Sequence, residues 1–147
     1  GSAQARRGRR VIVLCGLVGS GKSSFARALQ THFPRYVRCN QDELGSRQKV
    51  QLAAEAALRS RVDSVAVIDR TNIDEGHRKP WVDMADQFGV DAEAMMFDTP
   101  YEICRERLLL RKDHETLKDP QRALDVLSRF QRDMRPPTHA EGFRRIL

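Results

Sequence analysis

Val11-Ile12-Val13-Leu14-Cys15 runs directly into Gly16-Leu17-Val18-Gly19-Ser20-Gly21-Lys22-Ser23, and Ser24-Phe25 follows without a break. Five apolar residues bounded by glycine read as a buried strand, and the next eight are a complete G-x-x-x-x-G-K-[ST] phosphate-binding loop. The loop opens a helix whose N-terminal N–H groups and dipole face the same anion. Strand, loop and helix in that order imply a bound nucleoside triphosphate, ATP or another. Gly16, Gly19, Ser20, Gly21, Lys22, Ser23 and Ser24 form the expected nucleotide-binding set. Lys22 is expected to reach the β and γ oxygens and Ser23 to offer its hydroxyl to Mg²⁺.

Working outward, the same alternation of strand and helix continues. A strand is expected at 36–39, an amphipathic helix from Ser46 to about Arg61, and a buried strand over Val65–Ile68 ending on Asp69. Further on come a helix from Glu75 to Phe88 closed by Gly89, a strand over Ala92–Phe97 and a helix from Tyr101 to about Arg111. A last helix starts at Pro120 and stops before Pro136-Pro137, with a short strand near 143–147. The pattern predicts an α/β protein of phosphate-loop kinase type, a parallel sheet with helices on both faces and an arginine-bearing lid. Ligands in such sheets lie at the carboxyl ends of the strands. Asn40-Gln41-Asp42, Asp69-Arg70-Thr71-Asn72 and Asp98-Thr99 all fall there.

Three groups of side chains carry chemistry. Asp42, just past the second strand, is placed to take the proton of an attacking hydroxyl; a turn or helix cap is the plainer alternative. Asp69 ends an apolar strand as a magnesium-holding carboxylate does, and a purely structural hydrogen-bonding role competes with that reading. Arg107 and Arg111 lie four residues apart on one helix face, where guanidinium groups could neutralise a transferring phosphoryl group. An exposed face paired with Glu102, Glu106 or Asp113 is the alternative for each arginine.

At 147 residues the chain is expected to be one domain, residues 11–147, behind a basic stretch over 1–10 whose Gly-Ser start reads as a cloning remnant ahead of an excised domain. No run of eighteen apolar residues and no signal-peptide pattern occur, so no membrane association and an intracellular setting, nuclear or cytoplasmic, are expected. Cys15, Cys39 and Cys104 lack metal-ligand spacing and read as free, small apolar residues, with neither zinc nor disulfide expected. Residues 1–60 hold 11 Lys/Arg against 3 Asp/Glu, whereas 61–147 hold 15 against 17. Such asymmetry suits a polyanionic second substrate, although Arg6, Arg7, Arg9 and Arg10 read equally well as a solvated tail.

One further pattern extends over nearly the whole chain after residue 10. Arg38-Cys39-Asn40-Gln41-Asp42-Glu43-Leu44-Gly45-Ser46, Asp69-Arg70-Thr71-Asn72 with Arg78 and Trp81, Phe97-Asp98-Thr99-Pro100 with Cys104, Arg107 and Arg111, and Pro137-Thr138-His139-Ala140-Glu141-Gly142-Phe143 together resemble the kinase domain of the polynucleotide 5′-hydroxyl kinases. That resemblance implies transfer of the ATP γ-phosphate to a 5′-OH end of RNA or DNA. It implies Asp42 as general base, Lys22 and Ser23 at the phosphates and magnesium, and Arg107 and Arg111 as lid arginines. Several members of that family grip the acceptor's phosphate with an arginine three positions after the base, where this chain has Gly45; Arg47 is the nearest substitute. Arg38 and Arg47 are expected on the acceptor side, with Lys49 adding to the basic face, and Asn72 is expected either there or in support behind it. The family's D-x-D-G-T phosphatase signature is missing, which fits a kinase module of a larger nucleic-acid-processing protein. A nucleoside, sugar or antibiotic kinase of the same fold and a non-catalytic nucleotide-dependent binding module stay open as alternatives.

Overall fold

A computed structural model describes residues 8–110 and 119–147. Arg6, Arg7, Arg111, Asp113, His114 and Glu115 lie outside the described residues. Five strands form one sheet in the order β2-β3-β1-β4-β5: β1 Arg10–Cys15, β2 Tyr36–Asn40, β3 Val65–Asp69, β4 Asp91–Met96 and β5 Arg145–Ile146. Every pairing is parallel. The expected α/β architecture is what the chain forms.

Alternation along β1 divides the core. Val11, Val13 and Cys15 face one layer with Ala66, Ile68, Ala92 and Ala94. Helices α3 (Arg47–Ser60) and α4 (Glu75–Gln87) cover that layer with Val50, Ala54 and Leu58, and with Trp81, Met84 and Ala85. Ile12, Leu14, Val65 and Val67 face the other way, against Ala26 and Phe25 of α1 (Lys22–His32). Because both faces are buried, β1 and β3 read as continuous apolar runs rather than alternating ones. Helices α5 (Tyr101–Leu110) and α6 (Pro120–Asp133) meet over Leu17 through Cys104, Leu108 and Leu127. No helix among the described residues is long and apolar enough to cross a membrane.

Between β2 and α3 the chain makes a single helical turn, α2, at Gln41–Leu44. Asn40 caps it: its Oδ1 accepts from the Glu43 N–H at 3.2 Å. Gly45 closes it with φ 94°, donating its N–H to the Gln41 carbonyl. That left-handed conformation strains any L side chain, so an arginine is disfavoured there although the space around Gly45 is open.

A second lock joins the C-terminal segment to the sheet. Arg78 of α4, 1% exposed, donates to both carboxylate oxygens of Glu141 at 2.7 and 3.0 Å. Its Nη1 donates to the carbonyls of Asn72 and Arg135 at 3.0 and 2.8 Å. Asn72, with φ 46°, donates from Nδ2 to the Leu14 carbonyl at 2.7 Å and accepts from the Trp81 indole N–H at 3.2 Å. Asn72 is 1% exposed, so it differs from the acceptor-side contact expected of it. Its amide is fully engaged inside the protein, where it fixes the loop after β3.

Candidate active site

Sheet order places the reversal of connection at β1, with β3 on one side and β4 on the other, and the phosphate loop leaves β1 at that crevice. A cavity of about 900 Å³ opens there. Its walls come from the loop and α1, from the β2–α2 junction with Asn40, Gln41 and Asp42, and from Asp69, Arg70 and Thr71 after β3. His77 of α4 and Phe130 of α6 complete the lining. That volume lies toward the upper end of small-ligand sites, room for a nucleotide and part of a second substrate.

Two glycines shape the phosphate loop. Gly21, at the N-cap of α1, has φ 103° and leaves the first turn without a side-chain cap, so its N–H groups point to an incoming anion. Gly19 has φ 84°, and a Cβ there would lie 3.1 Å from the Cys104 carbonyl oxygen of α5. Gly19, Gly21, Lys22, Ser23 and Ser24 line the cavity. Gly16 and Ser20 stand behind it instead: Gly16 N–H donates to the Thr71 carbonyl at 3.0 Å, and the Ser20 carbonyl accepts from the Thr99 hydroxyl at 2.8 Å. These two bonds tie the loop to the segments after β3 and β4.

Lys22 is 6% exposed and curls over the loop, with Nζ 2.7 Å from the Gly16 carbonyl and 2.8 Å from that of Leu17. A phosphate oxygen would exchange a neutral carbonyl partner for a charged one, which makes the shorter and stronger bond. Arg107 approaches the same loop from α5, its Nη1 donating to the Gly19 carbonyl at 2.8 Å. The loop is therefore flanked by two cations from different elements.

Asp69 is the hub of the site. Its Oδ2 accepts from Ser23 Oγ at 2.9 Å, from Arg38 Nε at 2.8 Å and from Asn40 Nδ2 at 3.1 Å. The register of β2 against β3, which sets Asn40 beside Asp69, explains the meeting. Arg38 also pairs with Glu43 of α2 at 3.0 Å, and its side chain is only 4% exposed. Arg38, expected on the acceptor side, lines the cavity and bridges the Asp69 carboxylate to the turn that carries Asp42. Ser23 and Asp69 present hard oxygens side by side at the phosphate loop, a donor set that fits Mg²⁺, which keeps waters and phosphate oxygens as its other ligands. No cluster of three or more His, Cys, Asp or Glu among the described residues competes for a metal ion.

Asp42 sits in the first turn of α2 and lines the cavity, exposed and with no hydrogen-bond or ion-pair partner among the described residues. Asn40 takes the capping role, so the capping alternative for Asp42 falls away. Arg47 begins α3, is half-buried and donates to Gln51 Oε1 at 3.3 Å, outside the cavity wall. Burial pushes the Cys39 thiol up to about 12 and, against the opposing pull of Arg78, that of Cys15 to about 11. Both stay protonated and inert.

Sequence reasoning gave no role to Arg70 or Phe130, although both line the cavity. Arg70 donates from Nε to Gln41 Oε1 at 2.8 Å and lies over the Trp81 ring. Its position directly after the strand-ending Asp69 was the available signal. Phe130 had none, since an apolar residue on an amphipathic helix is ordinarily core.

The AAA domain family model matches residues 11–137. A bifunctional polynucleotide phosphatase/kinase of Schizosaccharomyces pombe is 34% identical over 140 residues, covering 94% of this chain and 33% of that protein. The transcription factor bHLH140 of Arabidopsis thaliana is 27% identical over 151 residues, covering 99% of this chain and 16% of that protein. The chain thus spans a third or less of the length of these relatives. Among solved structures, a fungal RNA kinase superposes with a TM-score of 0.77 at 18% identity, over 94% of this chain and 74% of the other. The likeness confirms the fold, and the first relative bears out the resemblance read from the motifs. With its phosphate loop, its parallel sheet and a family match over most of its length, the chain belongs to the AAA domain family.

Proposed function

We propose that this chain is a polynucleotide 5′-hydroxyl kinase module that moves the γ-phosphoryl group of ATP, or another nucleoside triphosphate, onto a 5′-OH end of RNA or DNA. One observation carries the reading: an unpartnered carboxylate, Asp42, shares a single cavity with Lys22 and Ser23 of the phosphate loop. A module that only bound nucleotide would have no use for such a group beside its phosphates. Relatives named as polynucleotide and RNA kinases support the choice of acceptor. Their greater length supports a place within a larger nucleic-acid-processing protein.

The chemistry follows from the geometry. Asp42 accepts the proton of the 5′-hydroxyl as its oxygen bonds to the γ-phosphorus, while the bond to the β-phosphate oxygen breaks and the nucleoside diphosphate leaves. Lys22 turns from the Gly16 and Leu17 carbonyls to the β and γ oxygens. Arg107 leaves the Gly19 carbonyl for an equatorial oxygen of the moving group, and Arg111 has the same task in this scheme. Mg²⁺, when bound, neutralises charge on the β and γ oxygens, and Ser23 and Asp69 are the residues that would hold it. Arg38 and Asn40 keep Asp42 at a fixed distance from Ser23 through Asp69.

The test is label transfer from γ-labelled ATP to a 5′-OH oligonucleotide, a free nucleoside or no acceptor. The oligonucleotide is expected to be labelled far better than the nucleoside. Equal use of both would favour a small-molecule kinase, and no transfer to any acceptor would favour a binding module.

A further inference from the structure

Arg70, bonded to Gln41 of the α2 turn, and Arg47, at the start of α3, have no carboxylate partner among the described residues. Arg38 beside them pairs with both Asp69 and Glu43, and His77 with Asp74. Arg70 is anchored rather than loose. Its Nε bonds Gln41, the residue before Asp42, and its Cζ lies 5.9 Å from the Trp81 ring centroid, while the residue itself lines the cavity. That anchoring holds a planar cation against the residue that precedes the proposed base and leaves its terminal Nη groups for a ligand.

We infer that Arg70, reinforced by the charge of Arg47, is the binding group for the acceptor's first internucleotide phosphate. The inference rests on the polynucleotide reading above. With the 5′-oxygen at Asp42, the phosphate on the 3′ side of the same sugar is the anion one sugar away. A guanidinium can meet two of its oxygens at once. Partial burial and the neighbouring charge of Arg47 both pull the Arg70 pKa down, the signature of a cation whose surroundings call for an anion. Gln41, Trp81 and Arg70 thus form a unit that reads the backbone and no base, so sequence selectivity at the 5′ end is expected to be weak.

The experiment compares wild-type protein, Arg70→Gln and Arg70→Lys on three acceptors: a 5′-OH oligonucleotide, a nucleoside 3′-monophosphate and the nucleoside. Wild type should prefer both phosphate-bearing acceptors. Arg70→Gln should raise their KM at least tenfold, leave the KM of ATP in place, and flatten the salt dependence of oligonucleotide KM by about 0.7 in slope, one phosphate contact on a single strand. Arg70→Lys should keep that slope while losing part of the affinity, because charge stays and the planar fork goes. If wild type prefers the phosphate-bearing acceptors but Arg70→Gln keeps the wild-type KM and slope, this inference is overturned and the kinase reading stands. If wild type makes no distinction between nucleoside and oligonucleotide, the polynucleotide reading itself fails and takes the inference with it.

Discussion

Two side chains divide the labour at the residue scale. Lys22 sits among the loop's own carbonyls, so the loop is already shaped around a cation before any phosphate arrives. Lys22→Ala removes that charge, and both nucleotide affinity and turnover should fall steeply in titration and single-turnover assays. On the proposed mechanism Asp42 has a different signature, because its partner there is the acceptor hydroxyl and not the nucleotide. Asp42→Asn keeps the shape of the α2 turn, whose cap is Asn40, and removes the proton acceptor. Turnover should drop by on the order of 10²–10⁴ while nucleotide affinity stays near wild type. Equal loss of nucleotide binding would make Asp42 a metal or nucleotide ligand.

Elements set the distance between those residues. The turn carrying Asp42 is tied to the phosphate loop through Glu43, Arg38, Asp69 and Ser23, a chain of bonds of 3.0, 2.8 and 2.9 Å. Arg38→Gln leaves Lys22, Ser23 and Asp42 in place but loosens the turn, so kcat should fall at least tenfold with little change in the KM of ATP. A rise in acceptor KM at unchanged kcat would return Arg38 to the acceptor side. How much of this was legible in the sequence depends on range. The β1 strand, the phosphate loop and α1 are local, and glycine spacing with apolar periodicity reveals them. The strand bringing in Asp69 is equally plain. The Arg38–Asp69 pair is not, because it depends on the parallel register of β2 and β3, which no local pattern encodes. Nor is the α2 turn, since four residues are too few for a helical period and Asn40 reads as well for a turn as for a cap. Asn72 misled for the related reason that a polar residue in a site motif can serve the motif's backbone instead of its ligand.

Across the whole molecule, the Arg78–Glu141 pair joins the C-terminal segment to the loop after β3, and so to the wall of the cavity. Its side chains are 1% and 5% exposed, and removal of one partner leaves a buried charge uncompensated. Glu141→Gln should therefore cost about 3–5 kcal/mol in denaturant unfolding. Burial would raise the Glu141 pKa, but its bonds to Arg78 and to the Thr138 N–H prevail and hold it below 4.5. A depressed folded-state pKa contributes stability that is present above the unfolded value and lost as pH falls through the folded one. Wild type should thus lose stability more steeply than Glu141→Gln as the pH drops from about 4.5; parallel curves would deny the pair its role. The central claim concerns where the phosphoryl group goes, and one measurement reaches it directly. Wild-type protein, γ-labelled ATP and Mg²⁺ are mixed with an oligonucleotide bearing either a 5′-hydroxyl or a 5′-phosphate, and the product is digested to mononucleotides. Label recovered in the 5′-terminal nucleotide of the hydroxyl form, with none in the 5′-phosphate form, is the predicted result; label found only in inorganic phosphate, or equally with both forms, would contradict it.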